Sequence, residues 1–198
     1  MYHFFVEPHQ IGAEEIRIEG ADVNHIRNVL RMKPGEEILI SSREGGDYFC
    51  RVEELEPEYV SAKILEEREN KELPARIHLF QGLPKGDKME LIIQKAVELG
   101  AYRVVPVSMK RSVVKLDAKK ADAKRKRWNA VSESAAKQSK RSLIPEVAPL
   151  MTYKEAVKEA AGYDMVLLPY ESADGIRKTR ELLASVKPGT DIAVFIGP

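Results

Sequence analysis

The segment Leu79–Gly100, LFQGLPKGDKMELIIQKAVELG, constrains the fold more than any other part of the chain. An apolar run ends at Gly82, a Pro84-Lys85-Gly86 turn follows, and the hydrophobic period changes from Lys88 onward. Met89, Ile92, Ile93, Ala96 and Leu99 then share one helical face, and Gly100 supplies a C-terminal stop. A strand that feeds a helix through a glycine turn is the unit of a parallel α/β sheet. Such sheets bind ligands at the strand-to-helix junction, where Lys85 and Lys88 stand. The turn lacks the GxxxxGK[ST] spacing of a Walker loop, and no GxGxxG follows a strand, so a dinucleotide site is not expected. By itself the turn reads equally as a solvated surface turn or as an anion site at a helix N-terminus.

Upstream the rhythm is different. Tyr2, Phe4 and Val6 alternate with His3, Phe5 and Glu7, the pattern of a half-buried strand, and Ile16–Ile18 is a second short strand. Ala21–Met32 reads as a helix that Asp22 caps, closed by Pro34-Gly35. Glu37–Ser41, Tyr48–Val52 and Tyr59–Leu65 are further strands around a Gly45-Gly46-Asp47 turn. Short strands with glycine turns predict a small barrel. Glu66–Glu72 is a charged linker or strand end, and the domain boundary is placed there, giving domains 1–72 and 73–198.

Downstream, strands alternate with helices. Expected are strands at Ile77–Gly82 and Arg103–Val107 and a long basic helix at Ala118–Lys140. A helix capped by Thr152 and Glu155 covers Thr152–Ala161, buried strands cover Met165–Tyr170 and Asp191–Ile196, and a helix covers Gly175–Ser185.

The net charge of +1 conceals a split. Residues 1–73 carry 9 Lys and Arg against 17 Asp and Glu, whereas residues 76–141 carry 17 against 6, a local excess of +11. That concentration points the second module at a polyanion. Lys88 and Lys95 share a helix face, and a Lys95–Glu98 surface pair is the plainer reading of that spacing. Lys110-Arg111-Ser112-Val113-Val114-Lys115 is a basic loop in which Arg111 has the fork geometry for phosphate. The run Lys124–Arg127 points around the whole helix, so half of it is solvated surface, and Trp128 reads as a core anchor. Gln138, Ser139 and Arg141 end the helix, where Lys140 and Arg141 also complement its dipole. His3, His9, His25 and His78 have no ligand spacing, and the one cysteine, Cys50, excludes an internal disulfide and a zinc cluster. No apolar run reaches the length of a membrane span and the N-terminus has no secretory pattern, so a cytoplasmic location away from membranes is expected.

Several blocks, taken in order, resemble the 16S ribosomal RNA uridine-N3-methyltransferase family of the SPOUT superfamily. They are His25-Ile26-Arg27-Asn28-Val29-Leu30-Arg31 with Gly35, Leu83-Pro84-Lys85-Gly86-Asp87-Lys88, and Gln94-Lys95 with Glu98-Leu99-Gly100. The series continues with Arg111-Ser112-Val113-Val114, Arg127-Trp128, Ala135–Ser139 with Arg141 and Pro145, and Phe195-Ile196-Gly197-Pro198. The resemblance implies a PUA-like β-barrel that holds RNA, then an α/β SPOUT domain with a C-terminal trefoil knot. It implies S-adenosylmethionine as cofactor with no metal, a homodimer with the active site at the subunit interface, and 16S rRNA of the small ribosomal subunit as substrate. The family pattern continues past Gly-Pro into Glu-Gly-Gly, so the chain is expected to be a fragment that lacks the last part of the knot.

Methylation of a uridine at N3 requires loss of the N3 proton, so a base or a cation that stabilises the anionic ring is needed. Arg111 and Arg141 are the electrostatic candidates and Glu171 the base candidate. By the resemblance, Tyr170, Glu171, Gly197 and Pro198 border the cofactor. Arg27, Arg31, Lys85, Lys88, Lys95, Lys115 and Gln138 are the candidate RNA contacts. The competing reading is a non-catalytic RNA-binding or ribosome-assembly protein.

Overall fold

The computed structural model describes residues 1–43, 46–70, 72–110, 116–169 and 177–197. The chain divides into two compact units. One comprises Met1–Glu72 with Ala136–Leu143, the other Leu73–Ala135 with Ile144–Pro198.

The first unit is built on a five-stranded mixed sheet of β1 (Tyr2–Val6), β2 (Glu15–Glu19), β3 (Glu37–Ser42), β4 (Asp47–Leu55) and β5 (Tyr59–Arg68). The spatial order is β1-β3-β4-β5-β2, with β1 parallel to β3 and all other pairs antiparallel. β1 and β2 remain at the two edges, so the expected barrel is a curled, PUA-like half-barrel. Register shifts at Phe49/Cys50 and Val52/Glu54 supply local bend and twist. Phe4, Val6, Ile16, Ile18, Ile26, Ile38, Ile40, Val52 and Val60 form its core, and Cys50 sits within it as a small apolar side chain.

Two local expectations fail for identifiable reasons. β1 is not half-buried: His3, Phe4, Phe5 and Val6 are all covered. Ala136–Leu143 belongs to the same unit and brings the Lys137 backbone up to the His3 ring. The helix after Gly20 is also shorter than expected. It is α-helical only over α1 (Ala21–Asn24), continues as a π-turn over His25–Val29, and ends in Arg31 at φ 53°. Asp22 does not cap it; its carboxylate pairs with Lys137 at 3.3 Å.

The second unit is a parallel sheet. Its strands are β6 (Arg76–Gly82), β7 (Arg103–Ser108), β8 (Glu146–Val147), β9 (Met151–Thr152), β10 (Met165–Leu167) and β11 (Asp191–Ile196). The order is β10-β11-β6-β7-β8, and β9 also pairs with β7. Helices α2 (Lys88–Glu98), α3 (Ala118–Ser139), α4 (Tyr153–Ala160) and α5 (Arg177–Ala184) connect them. Pro106 lies inside β7, where a missing N–H is costly. It is tolerated because β8 pairs only Arg103 and Val104 while β9 pairs Val107 and Ser108. Val107 turns its carbonyl toward Leu83 and Val104 turns its carbonyl toward Ala148, so Pro106 faces the gap between β8 and β9.

α3 begins at Asp117, whose carboxylate accepts the Lys120 N–H at 2.8 Å. Its Asn129 amide exchanges two 3.0 Å hydrogen bonds with the backbone of Val147, closing the free edge of β8. Trp128 is the expected core anchor, 3% exposed. α4 carries the expected capping box of Thr152 and Glu155. β10 departs from expectation. It stops at Leu167 as an edge strand, with Val166 49% and Leu168 68% exposed, because only β11 flanks it.

Candidate active site

Strand order locates the site before any side chain is considered. β6 opens the second unit, the chain moves to β7 on one side, and β11 returns to the other side of β6. In open parallel sheets, ligands bind outside the carboxyl ends of the strands. The candidate site is taken at the carboxyl ends of the neighbouring strands β6 and β11, at Gly82 and at Gly197 just beyond β11.

One buried polar group spans it. Gln81, 3% exposed, donates its amide hydrogens to the carbonyls of Gly82 and Gly197, each at 2.9 Å. The side chain therefore ties the end of β6 to Gly197, just beyond β11. Beneath it Phe80 and Phe195 stack at 4.6 Å and 14°, and both are buried. Beside it Leu168 and Ile196 expose apolar surface at the ends of β10 and β11. Backbone carbonyls and an uncovered apolar wall suit a flat, partly polar cofactor such as a nucleoside. Sequence reasoning missed Gln81; its one signal is a lone amide in the apolar run Ile77–Gly82.

The opposite, amino end of the sheet holds a second polar network. Arg76 bonds Asp191 at 2.7 and 2.6 Å, and Asp191 accepts His78 Nε2 at 2.9 Å. Tyr163 donates to Glu159, which holds Arg103 at 2.6 Å. The Arg76 hydrogen bonds hold the Asp191 carboxyl well below the usual carboxylate range. Burial, with Glu159 beside it, pushes the Tyr163 hydroxyl up to about 12. Most of these groups are held by a neighbour, as in a structural clasp, although the buried Arg103 Nε has no hydrogen-bond partner among the described residues and only Glu146 at 3.8 Å.

The expected residues separate. Lys85 and Lys88 are exposed at the start of α2. Lys95 is paired with Glu98 at 2.7 Å, as its spacing suggested. Of the basic run on α3, Arg125 holds Glu146 and Arg127 holds Glu90, while Lys126 is exposed. Arg27 is half-buried and Arg31 and Gln138 are exposed, all within the first unit. Arg141 is 9% exposed and its Nε lies 2.9 and 2.8 Å from the Glu72 oxygens. The Ser142 N–H bonds the same carboxylate at 2.8 Å. That guanidinium is committed to a buried partner rather than presented to an anionic base, nor does it cap the α3 dipole from solvent. Arg111, Lys115, Tyr170, Glu171 and Pro198 lie outside the described residues. Among the described residues no group of three or more His, Cys, Asp or Glu is placed to hold a metal, and no helix is long and apolar enough to cross a membrane.

Comparison with known proteins identifies the family and the fold. A family model for an RNA methyltransferase domain matches residues 71–198, and one for an RNA methyltransferase PUA domain matches residues 18–65. The chain is 36% identical to ribosomal RNA small subunit methyltransferase E of Bacillus subtilis, over all of this chain and 80% of that protein. The crystal structure of ribosomal RNA small subunit methyltransferase E from Neisseria gonorrhoeae, bound to S-adenosylmethionine, superposes with a TM-score of 0.77 at 30% identity. The match covers 100% of this chain and 80% of that one. A putative methyltransferase from Legionella pneumophila, also with bound S-adenosylmethionine, gives 0.79 at 26% identity, covering 100% and 79%. The half-barrel followed by a parallel α/β sheet is thus the fold of these enzymes, and the chain belongs to the RNA methyltransferase family that includes ribosomal RNA small subunit methyltransferase E.

Proposed function

We propose that this chain methylates ring N3 of a uridine in 16S rRNA of the small ribosomal subunit, with S-adenosylmethionine as methyl donor. The observation that carries the reading is the junction of the β6 and β11 carboxyl ends, bridged by Gln81, in a chain 30% identical to a structure with that cofactor bound. When bound, S-adenosylmethionine supplies a methyl group on a cationic sulfur, which needs no metal to activate it. Leu168 and Ile196 offer it an apolar face and Gly197 backbone polarity, while Tyr170, Glu171 and Pro198 complete the proposed pocket.

The chain's own work is on the uridine. Its N3 proton must leave before the nitrogen can attack, and the negative charge that develops on the ring needs a cation. Arg111 is proposed for that charge and Glu171 for the proton. Arg141 is proposed as a strut, since Glu72 already neutralises it. Lys85, Lys88 and Lys115 position phosphates, with Arg27, Arg31, Lys95 and Gln138 as further RNA contacts. Residues 1–72 hold RNA and residues 73–198 carry the chemistry. The proposal includes a trefoil knot, a homodimer with its active site at the subunit interface, and a cytoplasmic location.

The test is transfer of labelled methyl to purified small ribosomal subunits, with the product nucleoside identified by mass. Arg111→Ala is expected to lower the rate by about 10²–10³, the usual loss of one preorganised charge-stabilising donor. Subunits bound but never methylated would favour the non-catalytic alternative; methylation at another ring position would overturn the N3 assignment.

A second expectation follows from charge. Three phosphate-bound lysines would give log K against log salt a slope of roughly −2 to −3, at about −0.7 to −0.9 per contact. The measurement is RNA affinity between low and moderate salt, wild type against Lys85→Ala with Lys88→Ala. A slope the double variant leaves unchanged removes these lysines from the interface.

A further inference from the structure

We propose that a cavity in the first unit, walled by Met1, Leu39, Arg68 and Glu69 with Lys140 at its rim, receives a single unstacked RNA base. The inference rests on the reading that this chain acts on RNA, and it adds a site distinct from the β6–β11 junction.

The cavity measures about 260 Å³ and is also lined by His3, Ile40, Ser41 and Asp47. That lies just below the range of ligand pockets, roughly 300–1,000 Å³, and suits a base better than a whole cofactor. Its floor is fixed. Ser41 Oγ donates to one Asp47 oxygen, and Ser142 Oγ donates to the other. Because the Ser41 proton is spent on Asp47, the 2.8 Å contact with His3 Nε2 makes the imidazole the donor there. Burial lowers the His3 pKa, which keeps the ring neutral. β1, β3, β4 and the segment after α3 are thereby locked together under the cavity.

The rim is different. α3 ends with the Arg141 N–H bonded to the Ala136 carbonyl at 3.0 Å, and Lys140 takes the left-handed position at φ 57°. Glycine is the usual residue there, because a side chain at positive φ is strained. Among the described residues only Arg31 and Lys140 depart from glycine at positive φ, and both are cations of the first unit. Strain retained at a helix end, with a charged side chain set over a cavity, points to a use for that side chain. Lys140 and Glu69 are exposed and make no ion pair among the described residues. Together they offer a donor and an acceptor. A base edge offers the complementary pair, and its face has Met1 and Leu39 to lie on. Arg68, held over the Phe49 ring at 4.4 Å and paired through its Nε with Glu66 at 3.1 Å, adds a planar guanidinium at the same wall.

The experiment uses the full chain and the four nucleoside 5′-monophosphates as probes, followed by NMR of the Met1 methyl and the His3 ring. At least one monophosphate is expected to shift both signals at millimolar concentration. Lys140→Gly is expected to weaken that binding about 5- to 10-fold, the scale of one lost polar base contact. The same variant should keep or raise the Tm, since glycine relieves the backbone. No shift with any monophosphate overturns the site, as does a Lys140→Gly variant that binds as well as wild type, which would leave Lys140 only its role at the α3 dipole. Failure of the enzymatic reading would look different: base binding would persist while S-adenosylmethionine binding and methyl transfer were absent.

Discussion

Arg141→Ala is expected to destabilise the first unit by roughly 3–5 kcal/mol, the cost of stranding one member of a buried ion pair. Glu72 is as enclosed as its partner, with side-chain exposures of 9% and 12% for Arg141 and Glu72. Removing the guanidinium leaves a carboxylate that water reaches poorly, with only the Ser142 N–H as a described neutral donor. The pair also closes a long loop, tying the end of the half-barrel to the end of α3. Chemical denaturation followed by circular dichroism measures the loss. Trp128, the single tryptophan, lies in the second unit and reports on that unit by fluorescence. The dichroism transition should therefore move more than the fluorescence transition. Replacing both partners, Arg141→Met with Glu72→Leu, should recover most of the loss, since apolar substitutes of similar volume are often neutral in such sites. A double variant as unstable as the single one would mean that the ion pair itself, not the stranded charge, carries the stability.

The same residue shows where reading from sequence stops. Spacing placed Arg141 just past a basic helix, and that part was sound. Nothing in the spacing announces Glu72, because the two lie 69 positions apart. Local pattern reaches only neighbours within a turn or a hairpin, so it found the Thr152–Glu155 box, the Lys95–Glu98 pair and the Gly82–Asp87 turn. It also found both architectures, since a period of two and a period of 3.6 each leave a signature along the chain. It misjudged β1 and β10 for one reason: burial depends on what the second face meets. β1 is covered by a segment more than 130 residues away, and β10 has a neighbour on one side only.

The candidate site was legible in outline through strand-to-helix junctions. Its bridging amide was not. Gln81 matters because β11 returns beside β6, a tertiary fact, and a glutamine in a strand carries no mark of it. The His3 cavity was hidden in the same way. Its floor joins β1, β3, β4 and residue 142, and histidine spacing along a chain speaks only to metal ligands.

The second large effect is expected at Phe80. It is fully buried, stacks on Phe195, and lies against Tyr163 at 6.0 Å between centroids. Phe80→Ala should cost about 3–5 kcal/mol, combining lost apolar burial with a cavity that a close-packed sheet fills poorly. Phe80→Leu keeps most of the volume and should cost about 1.5 kcal/mol or less. In a double-mutant cycle with Phe195→Ala, the ring pair should show a coupling of roughly 0.5–1.5 kcal/mol beyond burial. Here the Trp128 fluorescence transition is the proper readout, and the order of sensitivity reverses from that of Arg141→Ala. The effect should extend to ligand binding. Phe80 precedes Gln81, and Phe195 lies two residues before Gly197, so the stacked rings support the two strand ends that Gln81 ties together. Phe80→Leu should therefore weaken S-adenosylmethionine binding measured by calorimetry more than its small stability cost suggests. Binding unchanged in Phe80→Leu, with the folded fraction intact, would separate the aromatic stack from the site and leave the Gln81 bridge to Gly197 as the feature to test.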